Sequence, residues 1–517
     1  MKTLGGAKIP VNAGLGFDGL EYAGIVKIFP NYWHAFSAYR ASRVLPSVIV
    51  AVALRCLHLP FSDANIVRSF EYLNLFSLLI AGFCWWRFVQ KFEINTSWRI
   101  LSFTALFANC AMITIYSYSS VGTDVFAFSL GVVLFYNYFM KKSLVVFSIG
   151  LLGAFVFPTF AAITMLLLLF PVQEVHSNGA TLACVSPAVS APVSYNRVLI
   201  YLVLTVVVVS FLYLLTLVLP RNFLWHQWGQ HFVSQDFSLY LVSRAKSYES
   251  IILTLAYMLE GGEIFLLVSS TVILFMYLYK GVQPFIGKID YPIGLFFKKL
   301  KSSLSLYSVV LAVSFIVFCT VIGHCLTDKE LIGSLTTLSL LRVLILEFFS
   351  LTGINLVASF VYYGLFTVFV IFYWREIVDE AAQWSLGFLG VLSLLLLLSI
   401  TSESRIYINF VGFVIFLTML AVKRNNRDKL ASGALYFFVI VSMLLSKFWV
   451  SIHIPIQPPE TNSTFLLPNW QGYFMNFGPW FSLKNYVWYC LILLSCVLFA
   501  YWDLVRESLE IRGNQYE

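Results

Sequence analysis

Charged side chains are scarce in this chain: Asp, Glu, Lys and Arg together make up 11% of 517 residues. A soluble domain normally carries about twice that share, so an ordinary globular enzyme is excluded. No phosphate-cradling Gly-rich loop with a following Lys-Ser or Lys-Thr occurs, and Gly14-Leu15-Gly16 follows no strand pattern. That rules out an ATPase or dinucleotide enzyme of the usual kinds, so energy for any group transfer has to arrive stored in a membrane-soluble donor. The eight cysteines, at positions 56, 84, 110, 184, 319, 325, 490 and 496, form neither a Cys-x-x-Cys nor a Cys/His ligand pattern. They read as small buried apolar side chains. Residues 1–15 lack the apolar core of a cleavable signal peptide.

What the chain does contain is apolar surface: 60% hydrophobic and 17% aromatic residues, with a mean hydropathy of +0.84. Runs long enough to cross a hydrocarbon layer of about 30 Å recur from end to end, which predicts an all-α, polytopic helical membrane protein. Long, evenly spaced runs exclude an outer-membrane barrel, whose strands are short and alternating. The expected spans are about 70–89, 100–119, 124–140, 197–219, 262–279, 304–323, 355–373, 383–400, 406–422, 431–451 and 485–502. Residues 44–59 carry Arg55 and His58 and are short, so they read as an interfacial helix. The run 143–171 has Pro158 in its middle and is expected to form a hairpin of two half-helices. The total is about 11–13 membrane helices with external juxtamembrane helices.

Basic residues orient this arrangement. Arg87, Lys91 and Arg99, the Lys141-Lys142 pair, Lys280 through Lys301, and Lys423 through Lys429 crowd four loops, which belong on the cytoplasmic side. The net charge of +8 is therefore an orientation signal, and no nucleic-acid partner is expected. The external side then receives residues 1–69 as a first loop with juxtamembrane helices, the turn Gly122-Thr123-Asp124, residues 220–250, and the segments 324–354 and 452–484. Residues 70–219 and 251–517 form the N- and C-terminal transmembrane modules. An external first loop ordinarily follows a spanning helix, so either the short N-terminus crosses unaided or a first helix precedes Met1, and the second is the expectation.

The external face carries most of the polar residues with chemical potential. Asp18 and Glu21 are three apart, as are Arg40 and Arg43, so each pair would share one face of a helical turn. Paired carboxylates suit proton abstraction from an acceptor hydroxyl, and paired guanidiniums suit a phosphate. Tyr22 lies on the same turn as Asp18. Asp124 opens a membrane helix on the same side, and Glu403 and Arg405 form an opposite-charge pair between two late spans. The competing structural readings are helix capping for Asp18 (opening a helix Gly19–Phe29) and Asp124, first-turn solvation for Glu21, and snorkelling for the arginines. The aromatic loop 452–484 and the Trp225, His226, Trp228 and His231 cluster read more as interface anchors than as sugar platforms or metal ligands.

The string Gly16-Phe17-Asp18-Gly19-x-x-Tyr22-x-x-Ile25, followed by Tyr39-Arg40-x-x-Arg43-Val44-Leu45-Pro46, resembles the first external loop of bacterial integral-membrane glycosyltransferases of the GT-C superfamily. Thr123-Asp124 opening a helix, the Pro-interrupted hairpin after it and a late Glu403-x-Arg405 resemble the same pattern. The resemblance implies a GT-C-like fold in the bacterial inner membrane with its active site facing the periplasm or cell exterior. It also implies inverting transfer of a sugar from a polyprenyl-phosphate donor to a glycan or lipid acceptor. Asp18, with Glu21 beside it, would be the catalytic carboxylate. Asp124, Tyr22, Glu403 and the arginines 40, 43 and 405 would bind substrate. No cofactor is required, although the carboxylates leave room for a divalent metal. The expected partners are donor, acceptor and membrane lipids. Two other readings fit the composition: a polysaccharide polymerase or ligase acting on lipid-linked glycans, and a lipid or sugar transporter.

Overall fold

The computed structural model describes residues 11–32, 35–116, 119–172, 264–289, 304–327, 353–400, 404–425, 432–446, 488–499 and 501. Of these, 82% are helical and none lies in a strand. The helices are α1 (Phe17–Lys27), α2 (Ala38–Ala41), α3 (Leu45–Cys56), α4 (Asp63–Lys91), α5 (Thr96–Phe107), α6 (Asp124–Phe139), α7 (Ser143–Ala154), α8 (Thr159–Leu169), α9 (Ile264–Ile289), α10 (Leu306–Leu326), α11 (Ile354–Tyr363), α12 (Leu365–Trp384), α13 (Leu386–Leu398), α14 (Val411–Arg424), α15 (Ser432–Leu445) and α16 (Trp488–Phe499). Among the described residues three stretches are long and apolar enough to cross a membrane: Asp63–Lys91, Leu306–Leu326 and Arg405–Arg424. The described part of the chain is therefore mostly helical, with apolar helices that point to membrane association.

Local chemistry sets the boundaries. The Ser62 hydroxyl accepts a bond from the Asn65 backbone N–H, while Asp63 and Lys91 complement the α4 dipole at its two ends. Leu45 and Pro46 open α3, where a missing N–H costs nothing. The hairpin expected over 143–171 is present as α7 and α8, broken at Phe155–Pro158.

Two expected spans have a different form. The run 100–119 is not one helix: α5 ends at Phe107, and a π-helical segment, Cys110–Ile115, follows. Asn109 makes the break, its amide donating to the Ala105 and Leu106 carbonyls while its side-chain oxygen caps Met112 N–H. The run 355–373 is also two pieces, α11 and α12, bent by 120° at Gly364, whose φ of +54° suits a residue without Cβ. The late run 406–422 begins as a 3-10 segment, Ser404–Phe410, before α14. The expected span 197–219 lies outside the described residues.

Arg405–Arg424 is the central pillar, 89% buried within the protein, whereas Leu306–Leu326 is only 11% buried and lies at the periphery. Aromatic stacking surrounds the pillar, with Phe413 4.4 Å from Phe135 and Phe416 4.1 Å from Phe88 between ring centroids. A second, smaller core gathers Leu15, Tyr22, Val26, Phe36, Val44, Val50, Phe70 and Val121. It packs α1 against α3, the top of α4 and the loop before α6. Each such side chain is worth about 1.5–3 kcal/mol when fully buried from water. This small core fixes the position of the N-terminal segment.

Candidate functional site

The site begins at a glycine pair. Gly16 has φ +84° and admits the turn that opens α1. Gly19 faces Val121, and a Cβ at residue 19 would lie 3.0 Å from the Val121 carbonyl oxygen. The absence of that atom lets α1 close onto the loop Ser119–Thr123. Asn74 pins the same loop from α4, its Nδ2 donating to the Ser120 carbonyl at 3.0 Å. Asp18 is thereby set beside the turn that leads into Asp124.

Asp18 is the second residue of α1 and not its cap; the N-cap position belongs to Gly16. The partner of its carboxylate comes from 387 residues away: Arg405 Nη1 donates to Asp18 Oδ2 at 3.4 Å. The Arg405 side chain is 17% exposed and that of Asp18 40%, so solvent or a ligand reaches the carboxylate more readily than the guanidinium.

One turn along α1, Tyr22 is buried and accepts a hydrogen bond from Arg43 Nη1 at 3.5 Å. Burial raises the Tyr22 phenol above its usual range, with Arg43 pulling down and Asp18 and Asp124 pushing up. Tyr22 is thus a neutral hydroxyl within electrostatic reach of all three charged groups. Arg43 is only 6% exposed. Its guanidinium carbon lies 4.4 Å from the Tyr39 ring centroid and 4.8 Å from that of Phe157, and its Nε has no hydrogen-bond partner. No carboxylate among the described residues stands within ion-pair distance of it. Burial likewise pushes the Tyr39 phenol up to about 12, against the pull of Arg43 and Arg405.

The two spaced pairs divide differently from the sequence expectation. Glu21 pairs with Arg40, both side chains being more than 40% exposed, while Asp18, exposed to a similar extent, meets Arg405 and Arg43 faces the interior. The two carboxylates differ in partner, and the two arginines differ in environment, because α2 lasts only four residues, Ala38–Ala41, and Arg43 follows it in a turn. Glu21 and Arg40 thus form a rim contact, not the second members of a carboxylate pair and a guanidinium pair. Asp124 is the first residue of α6, half-buried, and lies within electrostatic reach of Tyr22 and Tyr363. Thr123 occupies the cap position and makes no side-chain cap bond.

Arg405 owes its place to polar residues that sequence reasoning passed over. Tyr407 bonds Ser359 on α11, and Asn409 exchanges hydrogen bonds with Thr159 at the start of α8. Gly131 on α6 allows the Asn409 backbone to approach so closely that a Cβ would stand 2.2 Å from the Asn409 carbonyl oxygen. The signal for these was a set of lone Asn, Ser and Thr residues inside apolar runs, which their neighbours disguise as ordinary span. Glu403, the 452–484 loop and the Trp225–His231 cluster lie outside the described residues. Among the described residues no three His, Cys, Asp or Glu side chains gather as a metal site.

The other end of the pillar carries a different cluster. Glu380 is buried and bound by both Nη1 and Nη2 of Arg424, at 2.8 and 3.0 Å, and by Trp384 Nε1 at 2.8 Å. Lys423 lies 3.5 Å from Glu93 and donates to the Phe92 carbonyl at 2.7 Å. With Glu380, Arg424, Lys423 and Glu93 each committed to a partner, this cluster reads as structural.

Taken together, the N-terminal site offers a reachable carboxylate, a second half-buried one, a neutral phenol and two guanidiniums, one buried without an anion among the described residues. Such a set can bind an anionic group and accept a proton beside it. No protein-family model, curated protein or solved structure matches this chain.

Proposed function

We propose that this chain is a membrane glycosyltransferase of the GT-C type, transferring a sugar from a polyprenyl-phosphate donor to a glycan or lipid acceptor at the external face of a bacterial inner membrane. The observation that carries the reading is the meeting of Asp18 with Arg405, across 387 residues, beside a buried Arg43 that has no anionic partner among the described residues. A buried cation is costly unless paired, and a ligand phosphate is the partner that this chemistry calls for.

In this mechanism the donor phosphate lies against Arg43 and Arg405, and the acceptor hydroxyl approaches Asp18. The carboxylate takes the hydroxyl proton as the oxygen attacks the anomeric carbon. The bond from that carbon to the phosphate oxygen breaks, and the phosphate leaves with the electron pair, its charge met by the two guanidiniums. Attack opposite the leaving group inverts the anomeric configuration. Tyr22, neutral and bonded to Arg43, orients that cation, and Asp124 supports the acceptor side.

The test is transfer from a radiolabelled polyprenyl-phosphate sugar in membranes holding wild-type or Asp18→Asn protein at equal abundance. A general base is worth about 10²–10⁴ in rate, so the variant should lose at least a hundredfold. Equal transfer by both proteins removes Asp18 from the mechanism.

A further inference from the structure

We propose that the turn Arg55–Pro60 and the helix ends around it form a docking surface for anionic lipid headgroups, at the end of the N-terminal segment opposite Asp18.

Three element ends converge there. α1 closes at Lys27, α3 closes at Cys56, and α4 opens at Asp63. Lys27 bonds Asp63 at 2.7 Å, and the Arg55 guanidinium stands 5.7 Å from the Phe29 ring centroid. Two backbone bonds, from Leu57 N–H to the Ala53 carbonyl and from Leu59 N–H to the Leu54 carbonyl, close the turn. The surface that results is apolar and basic together. Leu57 is 66% exposed, Leu59 45% and Ile28 40%. Arg55, His58 and Arg68 are exposed as well, and none meets a carboxylate within ion-pair distance among the described residues. Asp63 only offsets Lys27, so the patch keeps a positive balance.

α4 supplies the depth. On its exposed face Tyr72, Phe76, Leu79, Ile80, Phe83 and Trp86 run without a charge from Arg68 to Arg87. The two arginines are about 28 Å apart along the axis at 1.5 Å per residue, close to the hydrocarbon thickness of about 30 Å. Asp63 lies about 7 Å beyond Arg68, within a headgroup layer of about 5–8 Å on each side. The turn Arg55–Pro60 directly precedes it, which brings two leucines and the unpaired cations to the level of lipid phosphates. Leucines beside arginines are what such a layer binds. A second copy or a protein partner would cover the same patch, but the register of α4 already sets lipid against it. Docking here steadies the site from a distance, since Asp18 opens α1 and Arg43 precedes α3. The contact holds whatever reaction the site performs.

Cys56, exposed in this surface, provides the probe. A nitroxide is attached to it in the full chain with the other seven cysteines replaced by alanine, held in nanodiscs of phosphatidylcholine alone or mixed with phosphatidylglycerol. Adding phosphatidylglycerol should lower the label's accessibility to a neutral nickel chelate and raise it to oxygen, by about fivefold for each arginine engaged. Arg55→Gln combined with Arg68→Gln should abolish that response. Equal accessibility in the two lipid mixtures overturns the proposal, as does a response undiminished in the double variant. Protection from oxygen and chelate alike means that protein covers the turn, and overturns it too. Should the alanine background not fold, native mass spectrometry of the wild-type chain replaces it. Wild type should then retain phosphatidylglycerol over phosphatidylcholine and the double variant lose that preference, and equal retention by both is the contrary result.

Discussion

Arg40 and Arg43 are the same amino acid three positions apart, yet substitution should separate them cleanly. Arg40 pairs with Glu21 where both are open to solvent, and exposed pairs contribute about 0–1 kcal/mol. Arg40→Ala should therefore leave thermal stability nearly unchanged and transfer within about twofold of wild type. Arg43 is clamped between two rings, and a lysine has neither the planar face nor the fork to replace it. Arg43→Lys should cost about 1–3 kcal/mol in unfolding and weaken phosphate binding, read by denaturation and by binding of farnesyl phosphate, with farnesol as the control lacking phosphate, to the full chain in detergent. The neighbouring Tyr39 gives a pH signature. Its phenol is raised from 10.0 to about 12, so the folded state holds this proton more tightly than the unfolded chain. Its stabilising contribution is complete below about pH 10 and fades as pH rises through about 12. Phenolate absorbance followed alongside helicity should show Tyr39 titrating late, together with loosening of the N-terminal segment.

At the scale of elements, the site depends on close approaches made possible by missing side chains. Gly131 sits where the segment Ser404–Phe410 crosses α6, with the Asn409 carbonyl too near for any Cβ. Gly131→Ala must push that segment away, taking Arg405 with it. Overpacking of this kind costs about 1–3 kcal/mol, and the cost to transfer should exceed the cost to stability. Measuring melting temperature and transfer on one preparation checks this. These approaches also explain what could be read in advance. Hydropathy and Pro158 placed most of the described helices and the hairpin, although among the described residues only three stretches are long and apolar enough to cross a membrane where eleven spans were expected over the chain. They failed at Asn109 and Gly364, where a single side-chain amide or a single positive φ outweighs twenty apolar neighbours. The grouping of Asp18, Tyr22, Asp124, Arg43 and Arg405 was expected from charge and sidedness. The separation of Arg43 from Arg40, and of Asp18 from Glu21, was not, because spacing says nothing about where a four-residue helix ends. The supports Asn74, Ser359, Tyr407 and Asn409 carry no charge and no motif, so only coordinates expose them.

Across the whole molecule, the pillar Arg405–Arg424 has a polar cluster at each end. Its α-helical part, the 14 residues Val411–Arg424, rises about 21 Å at 1.5 Å per residue, and the 3-10 segment carrying Arg405 extends it. Arg405 serves the candidate site, while Arg424 anchors the far end on Glu380. That anchor is asymmetric: the Glu380 side chain is 2% exposed and that of Arg424 43%. Removing the arginine strands a buried carboxylate, whereas removing the carboxylate leaves a cation that water can reach. Arg424→Ala should cost about 3–5 kcal/mol and Glu380→Ala clearly less, compared by unfolding in the same detergent. The separation of Asp18 from Arg405 along the chain has one more consequence. A ribosome releases the two halves of this contact far apart in time, since the helix bearing Asp18 emerges first and its partner follows 387 residues later. Through most of synthesis the leading segment waits without its last-third clasp, so newly made chains should pass through a stage in which proteases or quality-control factors reach a region that the finished protein holds in place.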